Sequence, residues 1–101
     1  MVEQARLHDA ILAVSAYVAD QFPGATTSDI RDHDRSAHTW IISIGGALLL
    51  LLTVSFEFLS DMPPAEIRGK LTQWPVAEEL RAVGSAKRVL VTRDGVTTTT
   101  R

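Results

Sequence analysis

Cysteine is absent from the 101-residue sequence, which excludes several classes of protein at once. Without it the chain has no disulfide framework, no thiolate metal site and no thiol nucleophile. Such a composition suits a reducing compartment, so we expect a cytoplasmic protein and keep a membrane location as the alternative. A chain of this length has room for one compact domain, which buries about two thirds of its unfolded surface.

Motifs that would identify a particular enzymatic or binding activity are also absent from the sequence. The sequence holds no phosphate-binding glycine loop, no nucleophile elbow and no pair of carboxylates with a supporting cleft. Gly45-Gly46 lies between apolar runs, without the lysine of a phosphate loop. Glu3 and Asp9 stand where a secretory signal needs positive charge, so we interpret the amino terminus as mature structure. We therefore expect a non-enzymatic protein that binds no cofactor.

Charge is divided unevenly along the chain, although the net charge is only −2. Residues 1–61 hold three Lys or Arg against eight Asp or Glu, whereas residues 62–101 hold seven against four. A polyanion requires a concentrated basic face, so this division argues against a nucleic-acid partner. It favours head-to-tail or self-complementary contact between copies of the chain.

One dense polar segment, residues 29–38, contains four possible metal ligands: Asp32, His33, Asp34 and His38. A carboxylate next to a histidine is also a pairing that acid–base chemistry uses. The spacing matches no established metal signature, however, and in an extended segment neighbouring side chains point to opposite sides. We interpret this segment as the solvated start of a strand and predict no metal site. An enzyme or metal-binding protein that uses the cluster stays open as a third hypothesis.

Residues 40–56 carry no charge, and their sequence is compatible with two structures, a transmembrane helix and a β-hairpin. Their length is at the short end of the ~17 to 25 residues with which a helix crosses a bilayer. Trp40 would lie at the membrane interface, but the flanks show no imbalance of Lys and Arg. Residues 52–58 alternate strictly between apolar and polar side chains, as a strand does. We predict a β-hairpin, and the alternative is a small single-span membrane protein with residues 40–58 as its transmembrane helix.

The same alternation predicts the register of the hairpin. A three-residue loop, Gly45-Gly46-Ala47, sets Ile44 opposite Leu48 and places alternate residues from Trp40 to Phe58 on one core-facing side. A two-residue loop would instead place apolar residues of the first strand on the same side as polar residues of the second. The three-residue register also predicts two favourable cross-strand pairs, Thr39 with Thr53 and Arg35 with Glu57.

Helices and a carboxyl-terminal strand or hairpin complete the predicted fold. The amino-terminal helix has one apolar stripe, formed by Leu7, Ile11, Val14 and Val18. Prolines and a terminal glycine delimit two short helices, and Asp94-Gly95 between β-branched flanks indicates a hairpin, with a frayed end as the alternative. The prediction is a single α+β domain: a helix at 1–22, a β-hairpin at 29–60, helices at 63–84 and a strand or hairpin at 87–101.

The hairpin face opposite the core stripe is the candidate binding surface. It is apolar near the turn and polar further away, and we predict that it binds a partner through Ile41, Leu49, Leu51 and Thr53. Contiguous exposed apolar surface usually marks an interaction site. Its cover is either the chain's own amino-terminal helix or a second copy or other protein partner. We favour a homodimer, and hence a small protein-binding, adaptor or regulatory protein.

Overall fold

The computed structural model describes residues 2–46 and 48–100, including side chains from Leu7 onward, and it has the predicted α+β fold. Its elements in chain order are α1 Val2–Gln21, β1 Thr26–Asp32, β2 Ala37–Ile44, β3 Leu48–Ser55, α2 Phe56–Asp61, α3 Pro64–Gln73, α4 Val76–Val83, β4 Lys87–Thr92 and β5 Gly95–Thr100. Among these helices, none in the described residues combines the length and the apolar character that crossing a membrane requires.

The strands of the described chain form one five-stranded sheet in the order β1-β2-β3-β4-β5. Neighbouring strands run antiparallel, except that β3 and β4 are parallel. A parallel pair needs a long crossover connection, and α2, α3 and α4 supply it. The hairpin signal at Asp94-Gly95 is confirmed by β4 and β5, so the threonine run is strand rather than a frayed end.

The central hairpin, β2 and β3, has the predicted register. Gly45 and Gly46 adopt positive φ angles of 62° and 74°, which glycine reaches without a steric penalty. The third loop position, Ala47, lies outside the described residues, but the strand pairing on either side fixes the loop at three residues. The observed pairs include Thr39 with Thr53, Trp40 with Leu52, Ile42 with Leu50 and Ile44 with Leu48.

The amino end of this hairpin begins later than the predicted range of 29–60. The residues before Ala37 form a separate edge strand, β1, which reverses through a turn at residues 33–36 and pairs with β2. The Asp32 carboxylate stabilises the turn, because it accepts hydrogen bonds from the Arg35 backbone N–H at 3.2 Å and from Arg35 Nη1 at 2.9 Å. The prediction of a single extended strand start across this segment is therefore wrong.

The carboxyl end of the hairpin also differs from the prediction. The strand ends at Ser55, whose hydroxyl accepts a hydrogen bond from the Phe58 backbone N–H at 3.2 Å and so caps the start of α2. Phe58 is buried as predicted, but from a helix rather than a strand. The predicted pair of Arg35 with Glu57 is wrong, because Glu57 lies in α2 and forms an ion pair with Arg93.

The helices of the described chain share one side of the sheet. Each contributes buried side chains to a core that also contains Trp40, Ile42, Leu50 and Leu52. The Trp40 indole N–H donates to Ser15 Oγ of α1 at 2.9 Å, which places the amino-terminal helix directly over β2. The amino-terminal helix therefore does not pack on the opposite face of the sheet, which excludes one of the two alternatives that the sequence left open for that face.

Tyr17 holds the helical layer together. Its phenol O–H donates to the Leu71 carbonyl at 3.2 Å and accepts from the Ala77 backbone N–H at 2.9 Å, so one hydroxyl joins α1 to α3 and α4. Burial raises the pKa of this phenol above its ordinary value, while the hydrogen bond from Ala77 acts in the opposite direction.

We expect Tyr17→Phe to lower the free energy of unfolding by about 1–3 kcal/mol, because the buried Ala77 N–H loses its acceptor. Urea denaturation followed by circular dichroism measures the change. Thr72→Val is the matched control: it removes a hydrogen bond of 2.8 Å from Thr72 Oγ1 to the exposed Arg68 carbonyl, which water replaces, and the effect should stay within about 0.5 kcal/mol. Equal stability of Tyr17→Phe and parent would contradict this role.

The raised pKa of Tyr17 also predicts a dependence on alkaline pH. A raised folded-state pKa contributes stability that is fully present below the unfolded value of about 10 and is lost as pH rises through the folded value. The stability difference between the parent and Tyr17→Phe should therefore shrink above pH ~10. A difference that is constant up to the alkaline limit of folding would refute the expectation.

Candidate functional site: the open face of the sheet

The side of the sheet opposite the helices is the candidate site, and we call it the open face. It is formed by odd-numbered residues of β2, β3 and β5 and even-numbered residues of β1 and β4. Within residues 2–46 and 48–100, every helix directs its buried side chains into the core on the other side, so no described helix packs on the open face. The sequence alternation of β2 and β3 predicts only the part of this face that the hairpin forms. In the structure the face spans five strands of the described chain.

The half of the open face nearest the β2–β3 turn is aliphatic. Ile41 and Leu51 lie opposite each other and are half-buried. Leu49 is 45% exposed. Ile30 on the edge strand is 56% exposed, but it lies further from the turn, opposite Thr39. The structure therefore brings together three of the four residues predicted to bind a partner: Ile41, Leu49 and Leu51.

The fourth predicted residue, Thr53, occupies a different environment. Its side chain is fully buried, and its Oγ1 lies 2.9 Å from Thr39 Oγ1. Arg88 Nη1 donates to Thr53 Oγ1 at 2.7 Å and to Thr39 Oγ1 at 3.4 Å. Thr53 therefore anchors a guanidinium group that lies across the face, and any contribution to partner binding is indirect.

A cavity of about 400 Å³ opens in the polar half of the face, lined in part by Arg35, Arg88, Ser55, Thr92 and Thr99. Sequence reasoning missed it, because its side chains come from β3, β4, β5 and the turn after β1. The position of Arg88 could still have been predicted from the sequence, because it alternates along the strand with Val89 and Val91, which are buried in the core. The strand period thus places the arginine on the open face.

The predicted polar cluster does not come together. Asp32 ends β1 on the open face, and His33 and Asp34 are exposed in the turn that follows. His38 points to the helix side of the sheet, where its Nε2 lies 2.5 Å from Asp29 Oδ2. Within the described part of the chain, no three His, Asp or Glu side chains are grouped so that they could hold a metal ion.

Of these four residues, Asp32 is the one that belongs to the electrostatics of the open face. The side-chain hydrogen bond from Arg35 lowers the pKa of its carboxyl group, and the nearby positive charge of Arg88 acts in the same direction. Asp32 is therefore ionised at neutral pH. Among the described residues, the polar half of the face accordingly contains the guanidinium groups of Arg35 and Arg88 and the Asp32 carboxylate.

No protein-family model matches the chain, and no curated protein or solved structure is similar enough to it to show a relationship.

We expect Thr53→Val to lower the free energy of unfolding by about 1.5–3 kcal/mol, because the variant keeps the shape of the side chain but removes a hydrogen bond to a charged group. Chemical denaturation measures the change. Thr97→Val is the control, since Thr97 is an exposed residue on the same face of β5, and its effect should stay within about 0.5 kcal/mol. Similar effects of the two substitutions would show that Thr53 does not anchor Arg88.

Proposed function

We propose that this is a small, non-enzymatic protein-binding or regulatory protein that acts as a homodimer through the open face. The proposal rests on the aliphatic patch of Ile41, Leu49 and Leu51 on the side of the sheet opposite the helices, where Leu49 is exposed and the other two side chains are half-buried. A sheet that meets water on one face normally alternates hydrophobic-in and polar-out. Here the turn-proximal half of the outward face is aliphatic instead, which is typical of an interaction surface.

The charge distribution favours one symmetric arrangement of the two copies. The acidic residues 1–61 contain β1 and β2, and the basic residues 62–101 contain β4 and β5. A two-fold axis parallel to the central strand β3 places β1 and β2 of one copy over β5 and β4 of the other, so strands of the acidic half of the chain face strands of the basic half. An in-plane axis across the strands would instead place β1 over β1 and β5 over β5, and so pair each half of the chain with itself.

The size of the face is compatible with a dimer of moderate affinity. β2 and β3 each have eight residues, which span about 26 Å at ~3.3 Å per residue. Strands spaced about 4.8 Å apart extend the described sheet over roughly 20 Å, so the projected area is about 500 Å². A standard interface buries about 800 Å² of accessible surface per partner. We therefore expect dimerisation that depends on protein concentration.

Location in the cytoplasm is part of the same proposal, because a cysteine-free chain suits a reducing compartment. Cell fractionation separates this from the single-span membrane hypothesis. Recovery of the protein in the soluble fraction without detergent supports the proposal, and recovery only in detergent would replace it with the membrane alternative.

Two substitutions on the aliphatic patch test the dimer. In Leu49→Glu/Leu51→Glu, a two-fold interface along β3 would bring four carboxylates together and also lose apolar burial. We expect the dissociation constant of the dimer to rise at least about a hundredfold, since like charges across an interface cost several kcal/mol. Multi-angle light scattering over a concentration series measures this, and circular dichroism checks that the fold is retained.

Leu12→Glu is the matched control, because Leu12 is 52% exposed on α1 in the helical layer. It introduces one negative charge per copy, as the single variant Leu49→Glu does, and should leave the dimer intact. The single variant Leu49→Glu, at the more exposed of the two positions, provides the measurement if the double variant fails to fold. A parent protein that stays monomeric at millimolar concentration, or equal effects of Leu12→Glu and Leu49→Glu, would reject the proposal.

A further inference from the structure

The two edge strands of the described sheet, β1 and β5, differ in how they are protected against pairing with another chain. Proteins commonly protect an edge strand with charged side chains, proline or a bulge. Among its seven residues, β1 carries Asp29, Arg31 and Asp32. The six residues of β5 include no charge and no proline, and they pair with β4 without interruption. From this difference we propose that the outer edge of β5 is a second interaction surface, and that it pairs with β5 of another copy of the chain.

Alternate backbone groups of β5 point away from β4. Strand pairing begins with Thr92 opposite Gly95. This pair must be of the hydrogen-bonded kind, because the ladder would otherwise need a hydrogen bond between the two turn residues, which are adjacent in the chain. Since hydrogen-bonded and non-hydrogen-bonded pairs alternate, the N–H and C=O groups of Val96, Thr98 and Thr100 point outward. Within the described residues, no backbone hydrogen bond joins β5 to an element other than β4.

The same edge of a second copy can satisfy all of these outward groups. A two-fold axis perpendicular to the sheet makes the two β5 strands antiparallel and keeps both helical layers on the same side. With Thr98 opposite Thr98 of the other copy, Val96 lies opposite Thr100, and all three outward-pointing residues of each strand form hydrogen-bonded pairs. A shift of this pairing by two residues in either direction would leave one of them unpaired. The register also sets Thr97 opposite Thr99, and cross-strand threonine pairs of this kind are favourable.

Charges at the two ends of β5 favour the same antiparallel arrangement. The turn end carries the exposed Asp94, next to Arg93, whose guanidinium already pairs with Glu57 and Asp61. The opposite end carries the exposed Lys87, which lies beside the last residue of β5. In the two-fold pair, each acidic end lies next to the Lys87 end of the other copy, so opposite charges meet. A parallel pair would instead bring like ends together.

The edge contact is separate from the proposed dimer. The outward N–H and C=O groups lie in the plane of the sheet, so they stay accessible when a second copy covers the open face. The helical layer does not enclose this edge either, since Val96 and Thr98 on the helix side stay partly exposed. A contact one strand wide is at the small end of protein interfaces, so we expect a dissociation constant on the order of 1 mM. Edge pairing therefore links face-to-face dimers only at high protein concentration.

The test uses Leu49→Glu/Leu51→Glu, so that the open face does not contribute to association, or the single variant Leu49→Glu if the double variant does not fold. Amide NMR spectra over a concentration series into the millimolar range should show saturable shifts at the three outward-pointing amides of β5. Isotope-filtered spectra of a mixed sample should show an intermolecular contact between Hα of Thr97 and Hα of Thr99, because Cα atoms are closer in non-hydrogen-bonded pairs. Spectra that do not depend on concentration would overturn the proposal.

Two substitutions at the centre of the edge probe the backbone and the register. Thr98→Pro removes an outward N–H but no hydrogen bond to β4, and proline is tolerated at such edge positions. It should raise the dissociation constant of the edge contact at least about tenfold, because the pair loses two hydrogen bonds. Thr98→Lys keeps the N–H, places like charges opposite each other and should raise the constant about threefold or more. It provides the measurement if the proline variant does not fold.

Thr27→Lys is the matched control, since it makes the same substitution at an exposed position of the other edge strand. It should change the dissociation constant less than twofold. Equal weakening by Thr98→Lys and Thr27→Lys would mean head-to-tail pairing of β5 with β1 and would overturn the assignment to a second β5. A constant that neither substitution of Thr98 changes would overturn the edge contact altogether. Neither result bears on the open-face dimer, which the parent protein tests.

Discussion

The register of the β2–β3 hairpin is the constraint on which the rest of the structure depends. Because side chains alternate along a strand, a shift of one residue would move the entire aliphatic stripe to the other face. The three-residue connection places Trp40, Ile42, Leu50 and Leu52 together on one side, and that stripe is where the helices pack. The composition of the open face follows directly, since it receives the alternate positions of the same two strands. The exposed aliphatic patch is thus a consequence of a hairpin rich in leucine and isoleucine on both faces.

Sequence patterns predicted the strongly periodic elements and failed where local hydrogen bonds decide the structure. The edge strand Thr26–Asp32 escaped prediction because it is polar and exposed on both sides, so it carries no apolar alternation. Its pairing with β2 depends on the turn that Asp32 and Arg35 stabilise. Residues 52–58 alternate like one continuous strand, yet the chain turns into a helix at Ser55 because its hydroxyl caps the first turn. Alternation alone does not reveal such a cap.

The aliphatic half of the open face was predictable and the polar half was not. Ile41, Leu49 and Leu51 belong to consecutive strands, so the hairpin register alone brings them together. Arg88 joins them only through the parallel pairing of β3 with β4 across a helical crossover. No spacing in the sequence encodes that contact. Thr53 was predicted to bind a partner. In the structure its hydroxyl is buried and accepts a hydrogen bond from the long Arg88 side chain.

Association of two copies through the open face can be detected by isotope-filtered nuclear Overhauser measurements on a mixed sample. One half of the sample carries labelled methyl groups and the other half is unlabelled, so only contacts between copies are detected. We expect intermolecular contacts among the methyl groups of Ile41, Leu49 and Leu51. Intermolecular contacts confined to helical residues such as Leu12, or none at millimolar concentration, would contradict it.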